Sequence, residues 1–343
     1  MMQVIFLEVI TIFVTSLIFI YIIKRYASSL NLIDEPNIRS MHTKSTPRGG
    51  GVGFFISIFL TIPIFHWTHL QSYIYIYISV VIIFILGLID DILEVSPITK
   101  FGVIFISTLL LYIDNLSINS VGIFGGSLLY LGYFSLPFTF FAVSGFTNAL
   151  NLIDGVDGLS TTLSLLILAT FFYIGFIYSD NFMMILSISL ISALVAFLIY
   201  NWHPASIFMG DSGSLTLGFV ISILAIKSLE HISSAVTILF LTAIPVLDTM
   251  IVMIRRKLKG GSAFKADRCH IHHIALSYFE NHTQKSVLFI LLIQAIYILI
   301  GLYVDSRVDG LYLLIVFILQ GVGLYYILGY LLKRRKATLN TTS

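Results

Sequence analysis

Charge is what this chain has least of. Asp, Glu, Lys and Arg make up only 10% of its 343 residues, against about 25% in a soluble domain, so an ordinary water-facing surface is excluded. Cysteine is nearly absent. Cys269 stands alone, which rules out an internal disulfide and any multi-cysteine metal site. The amino terminus lacks a basic leader segment and a small-residue cleavage site, and its apolar run is long enough to span a bilayer, so it reads as a retained helix. The formal net charge of +2 is uninformative, unlike its distribution, and no nucleic-acid role is expected.

What is present instead is apolar surface. Hydrophobic residues form 58% of the chain and the mean hydropathy is +0.99, which defines an all-α polytopic membrane protein. A spanning helix needs about 20 mostly apolar residues. The sequence offers eleven such segments, near 2–23, 50–66, 73–90, 100–117, 136–153, 158–178, 182–200, 214–229, 233–254, 286–304 and 310–332. They read as one transmembrane domain over 1–343, with a motif-bearing core at about 34–276 and C-terminal helices over 286–332. The Gly-, Ser- and Tyr-rich stretch 118–135 is expected to form a small hairpin.

Eleven spans put the termini on opposite sides, and the basic residues choose which. All Lys and Arg except Lys227 and Arg307 fall on one side. By the positive-inside rule that side is cytoplasmic, with the amino terminus outside and the carboxyl terminus inside.

The same topology gathers Asp90, Asp91, Asp154, Asp157 and Asp211 at the cytoplasmic side, in three Gly-rich connections. One such residue would pass for a helix cap or boundary marker; five call for another purpose. Adjacent carboxylates such as Asp90 and Asp91 repel and are costly to desolvate unless a cation compensates. Magnesium is the natural cation, because it takes oxygen ligands and completes its shell with water and substrate phosphates. Gly155, Gly158, Gly210 and Gly213 leave room for backbone N–H groups near a phosphate. The "DSGS" ahead of the eighth span is expected to aim a helix N-terminus at an anion.

Two basic segments flank this set: "DEPNIRSMHTKSTPRGGGVGF" early in the chain and "IRRKLKGGSAFKADRCHIHHIAL" late. A zinc site built from Cys269 and the three histidines is the weaker reading of the second, since five consecutive residues rarely wrap one ion. Polyanion recognition fits better. Asp248 and Glu8 are carboxylates inside expected spans; a packing role is at least as good a reading for Asp248, and Glu8 has no motif around it. A secondary transporter is the rival from another class, but its acidic groups belong near the bilayer midplane on broken helices, and here they gather at one interface.

The ordered set "RSMHTKSTPRGGG", "DDILEVSP", "NALNLIDGVDGLS", "NWHPASIFMGDSGSLTLG", "IPVLDTMIVMIRR" and "ADRCHIHHIAL" resembles the polyprenyl-phosphate N-acetylhexosamine-1-phosphate transferase superfamily. "ADR" before "HIHH" is similar to its WecA/TagO-like branch. The resemblance implies attack by undecaprenyl phosphate on the β-phosphorus of a UDP-N-acetylhexosamine, most readily UDP-GlcNAc, at the cytoplasmic face of a bacterial plasma membrane. Carried over by position, Asp211, Asp90 and Asp91 hold magnesium, with manganese as a substitute, and Asp90 orients or deprotonates the lipid phosphate. Lys44, Asn151, Asp154, Asp157, Asn201 and Phe208 line the uridine site, with Asn148 as an added candidate. His270, His272 and His273 with Arg268 sit over the diphosphate and sugar. A homodimer within the lipid bilayer is a further implication.

Overall fold

The structure, a computed structural model, describes residues 2–35, 45–258 and 270–341. Lys44 and Arg268 lie outside the described residues. Contacts divide the chain into two compact units. The first comprises Met1–Asn119 with Leu131–His231, and the second Ser120–Tyr130 with Ile232–Ser343.

The first unit is a helical bundle. Its helices are α1 (Met2–Tyr26), α2 (Gly50–Phe65), α3 (Trp67–Ser72), α4 (Ile74–Leu93), α5 (Pro97–Ile113), α6 (Ser135–Ile153), α7 (Leu159–Tyr178), α8 (Asn181–Asn201) and α9 (Asp211–Ser228). A two-residue ladder pairs β1 (Ile33–Asp34) with β2 (Thr46–Pro47). Local chemistry sets several of the helix starts. Ser96 accepts the Thr99 N–H with Pro97 at the first helical position of α5, and Asp180 accepts the Met183 N–H at the start of α8. The central element is α9, 89% of whose residues are buried. Its close neighbours depend on glycine: a Cβ on Gly51 would overlap the backbone of Gly213, and one on Gly87 would overlap the backbone at Asp211 and Ser212.

The second unit holds the hairpin β3 (Ser120–Phe124) and β4 (Ser127–Tyr130), which is the expected one. Its helices are α10 (Ala235–Leu241), α11 (Ala243–Leu258), α12 (Ile271–Tyr278), α13 (Thr283–Val304) and α14 (Gly310–Thr341). Asp309 fastens the hairpin turn by accepting from the N–H groups of Gly125 and Gly126.

Each of the eleven expected segments coincides with helix, but the count is approximate. Among the described residues eight helices are long and apolar enough to cross a membrane on their own; α2 and α5 are shorter, and α10 and α11 reach that length only together, with a bend of 91° between them. The break has a local cause. Pro245 has no N–H to donate, and its ring would collide with the Leu241 carbonyl if the helix ran straight on. The backbone groups released at the bend are met by the fully buried Gln294 of α13. Its amide accepts from the Ile244 N–H at 2.9 Å and donates to the carbonyls of Phe240 and Leu241 at 3.3 and 2.9 Å. Inside a bilayer no water would do this.

Candidate functional site

The carboxylates meet at one end of the first unit, where α4 and α6 finish and α7 and α9 begin. Asp91, 1% exposed, lies on the last turn of α4 and accepts from the N–H groups of Asp211 and Ser212 at 2.8 and 2.9 Å. It therefore caps α9 from a neighbouring helix. Gly210 makes this turn with φ +78°, and its Cα faces the Asp91 carboxylate so closely that a side chain would strike it. The helix N-terminus expected to meet an external anion is thus occupied by an anion of the protein. Arg48 adds to the closure, its guanidinium donating to the Asp91 carbonyl.

Asp90, one residue earlier, is also buried but directed elsewhere. Its Oδ1 accepts the Val95 N–H at 2.7 Å. Its Oδ2 is ion-paired with the Lys100 ammonium. The same ammonium lies 3.7 Å from Asp211 Oδ2, while the Asn151 amide donates to Asp211 Oδ1 at 2.7 Å and to Ser214 Oγ at 2.8 Å. Two carboxylates from α4 and α9 thereby converge on a single cationic position. The Asp90–Asp211 oxygen set, two carboxylates facing one cation, has the chemistry of a magnesium site. Asp91 is committed to the backbone and suits that role less well.

Asp154 ends α6 and accepts from Ser160 at 2.7 Å. Burial pushes its carboxyl up to about 7 against the help of Ser160, and the neighbouring charges of Asp211, Asp91 and Asp157 push the same way. Asp157 accepts from His203 Nδ1 at 2.7 Å and the Ala205 N–H at 3.0 Å, tying the α6–α7 turn to the α8–α9 connection. Asn201 makes a second tie. It is 4% exposed, accepts from the Gly158 N–H and Thr161, and donates to the Ile207 carbonyl. Phe208 is half-buried in that connection, its backbone held between Pro47 and Gly50. Asn148 donates to the Ser144 carbonyl one turn back in its own helix.

The histidines lie in the second unit. His270 precedes α12 and bonds through Nδ1 to Asp248 Oδ2 at 2.7 Å. His272 is 3% exposed and its Nδ1 has no partner among the described residues. Burial pushes its imidazole down to about 3, with His273 and His270 adding to the effect against Asp248, so it is neutral at physiological pH. The His272 ring stacks on His270 with centroids 5.4 Å apart and touches His273 at 4.4 Å.

Comparison with known proteins bears on this geometry. A family model described as glycosyl transferase family 4 matches residues 73–229, the stretch holding every carboxylate of the cluster. The chain is 35% identical to a probable undecaprenyl-phosphate N-acetylglucosaminyl 1-phosphate transferase of Bacillus subtilis, covering 89% of this chain and 86% of that protein. The chain belongs to glycosyl transferase family 4. It is also 30% identical to the undecaprenyl-phosphate alpha-N-acetylglucosaminyl 1-phosphate transferase of Escherichia coli K12, and 31% to that of Salmonella typhi, each covering 95% of this chain and 90% of the relative.

Within this transferase, sequence reasoning missed three residues that the structure ties to the expected ones. Lys100 was counted only as a topology-setting charge. A cation one turn into the helix that follows a paired carboxylate was the available signal. His203 sits inside the quoted "NWHPASIFMGDSGSLTLG" without having been singled out. Asp248, for which the sequence leaves a packing role and a functional one open, is the partner of His270.

Proposed function

We propose that this transferase moves GlcNAc-1-phosphate from UDP-GlcNAc to undecaprenyl phosphate, at the cytoplasmic face of a bacterial plasma membrane. A lipid-phosphate oxygen forms a bond to the β-phosphorus of the donor, the bond from that phosphorus to the bridging oxygen breaks, and UMP leaves with the electron pair. The other product is undecaprenyl-diphosphate-GlcNAc. The observation that carries this reading is the convergence of Asp90 and Asp211 on one cationic position beside Asn151 and Asp154.

Phosphoryl transfer depends chiefly on positioning and charge neutralisation. Asp211 and Asp90 would hold magnesium, with manganese as the expected substitute. Bound there, the metal supplies charge neutralisation for the diphosphate and for departing UMP. Asn151 orients Asp211 from one side and Lys100 offers its charge to the incoming phosphate from the other. A phosphate monoester is already mostly dianionic near neutral pH, so Asp90 serves more to orient the nucleophile than to deprotonate it. Asp157 and Asn201 shape the donor pocket by fixing the α8–α9 connection that carries Phe208. The gathering of carboxylates at one end of the bundle supports an enzyme over a transporter.

The test is UMP release by purified protein in detergent with undecaprenyl phosphate and magnesium, offering UDP-GlcNAc, UDP-GalNAc and UDP-MurNAc-pentapeptide separately. UMP with UDP-GlcNAc alone, dependent on lipid, is the expected result. Preference for another donor overturns the sugar assignment, and silence with all donors from folded protein overturns the reaction.

A further inference from the structure

The histidine segment carries a feature that motif order does not account for. Asp248 lies on α11, 22 residues before His270 in the chain, yet its carboxylate, 1% exposed, spends both oxygens on the start of α12. Oδ2 takes the His270 ring and Oδ1 the Ile271 N–H. No side chain of α12 or of His270 caps this helix, so Asp248 is its cap. A buried carboxylate demands donors. His270 must therefore carry its proton on Nδ1, which leaves Nε2 as the ring atom with a free role. The consequences extend beyond one ring, because His272 stacks on His270 in near-parallel planes, 12° apart, and His273 packs against His272. The buried Nδ1 of His272, without a partner among the described residues, is an independent sign that this cluster is arranged for a ligand.

We propose that Asp248 is the positioning residue of the histidine cluster, fixing His270 as the Nδ1–H tautomer with Nε2 presented to substrate and setting the entry of α12 so that His272 and His273 are aligned. The proposal rests on the reading that these histidines meet the nucleotide-sugar donor. It also accounts for the bend between α10 and α11. The break at Pro245 redirects the chain three residues before Asp248, and Gln294 holds that bend in place.

The experiment compares Asp248→Asn and Asp248→Glu with His270→Ala and the double variant Asp248→Asn/His270→Ala, in intact protein. Asparagine keeps an oxygen for the Ile271 N–H but offers no second acceptor for His270, so the helix start survives while the tautomer is released. The expected result for Asp248→Asn is a fall in kcat of roughly 10- to 100-fold, with KM for undecaprenyl phosphate unchanged. Asp248→Glu should recover part of the loss. In the double variant Asp248→Asn should add little to the cost of His270→Ala. A purely structural Asp248 would instead lower the folded fraction in proportion to activity and give additive losses; that set of results overturns the proposal. The 15N resonances of labelled histidine provide a readout independent of turnover. A change in the His270 tautomer between wild type and Asp248→Asn supports the positioning role even if every donor is silent, and an unchanged tautomer contradicts it.

Discussion

The two ends of the first unit handle buried charge in opposite ways. At the end described above, Asp90, Asp91, Asp154, Asp157 and Asp211 lie together, and among the described residues the basic groups that meet them are Lys100, Arg48 and His203. At the other end Glu8, Asp180 and Glu230 each meet a basic side chain, and Asp114 accepts the Ile76 N–H. Glu8, wholly buried in α1, accepts from His66 at 2.8 Å and from Ser189 at 2.7 Å. Asp180 accepts from His231 at 2.9 Å, and Lys227 bonds Glu230 at 2.6 Å. The pKa directions record the contrast. Burial drives Asp154 up to about 7. At Asp180 burial acts upward too but is outweighed by His231, the Met183 N–H and Lys227, which hold the carboxyl below the usual carboxylate range. A closed set of pairs is what a membrane protein needs for stability; an excess of carboxylates is costly unless a cation and a ligand complete it. The difference teaches where binding is to be sought.

The largest effect expected is on chemistry. Asp211→Asn should lower kcat by roughly 10²- to 10³-fold, whereas Asp180→Asn should leave kcat within a factor of about two; parallel UMP-release assays check both, and equal losses would erase the distinction between the ends. Next comes the cap. Asp91→Ala strands two backbone N–H groups at the start of the most buried helix and should cost about 2–5 kcal/mol of stability, read as a lower Tm and a lower yield of folded protein.

Asp154→Asn sharpens the comparison through pH. The folded state holds its proton up to about 7 while the unfolded chain releases it near 4, so wild-type stability falls as pH rises through that window. In metal-free buffer the variant should match wild type at pH 4 and exceed it by on the order of 1–3 kcal/mol at pH 8, while turnover is lost. Asp180→Asn should show the reverse and smaller pattern. A depressed carboxyl contributes stability above its unfolded pKa and loses it as pH falls through the folded one. The variant should therefore be slightly less stable at pH 7, the effect being reduced by solvent screening, with the gap closing under strong acid.

Most of the architecture was legible because hydropathy is a local signal. Each of the eleven apolar segments became helix, and the Gly- and Tyr-rich stretch became the hairpin. The bend at Thr242 escaped notice although Pro245 was in plain view, because hydropathy does not register a missing N–H. The site was legible as a set of residue types but not as a set of roles. That Asp91 caps α9 across 120 positions, and that Asp248 serves His270, are facts of packing between distant helices. "GDSGS" has the composition of an anion-binding helix start, and nothing in it reveals that the anion comes from within the protein. Lys100 was hidden for a related reason: its charge satisfied the topology rule and therefore invited no second explanation.

The central claim, that the carboxylate-rich end is completed by a divalent cation and the donor phosphates, is tested most directly by the magnesium dependence of UMP release in wild type and Asp211→Asn. The account predicts wild-type turnover that disappears with EDTA and returns with added magnesium, and an Asp211→Asn baseline that stays low at every magnesium concentration. Wild-type turnover indifferent to EDTA, or an Asp211→Asn variant with the full magnesium response, would contradict it.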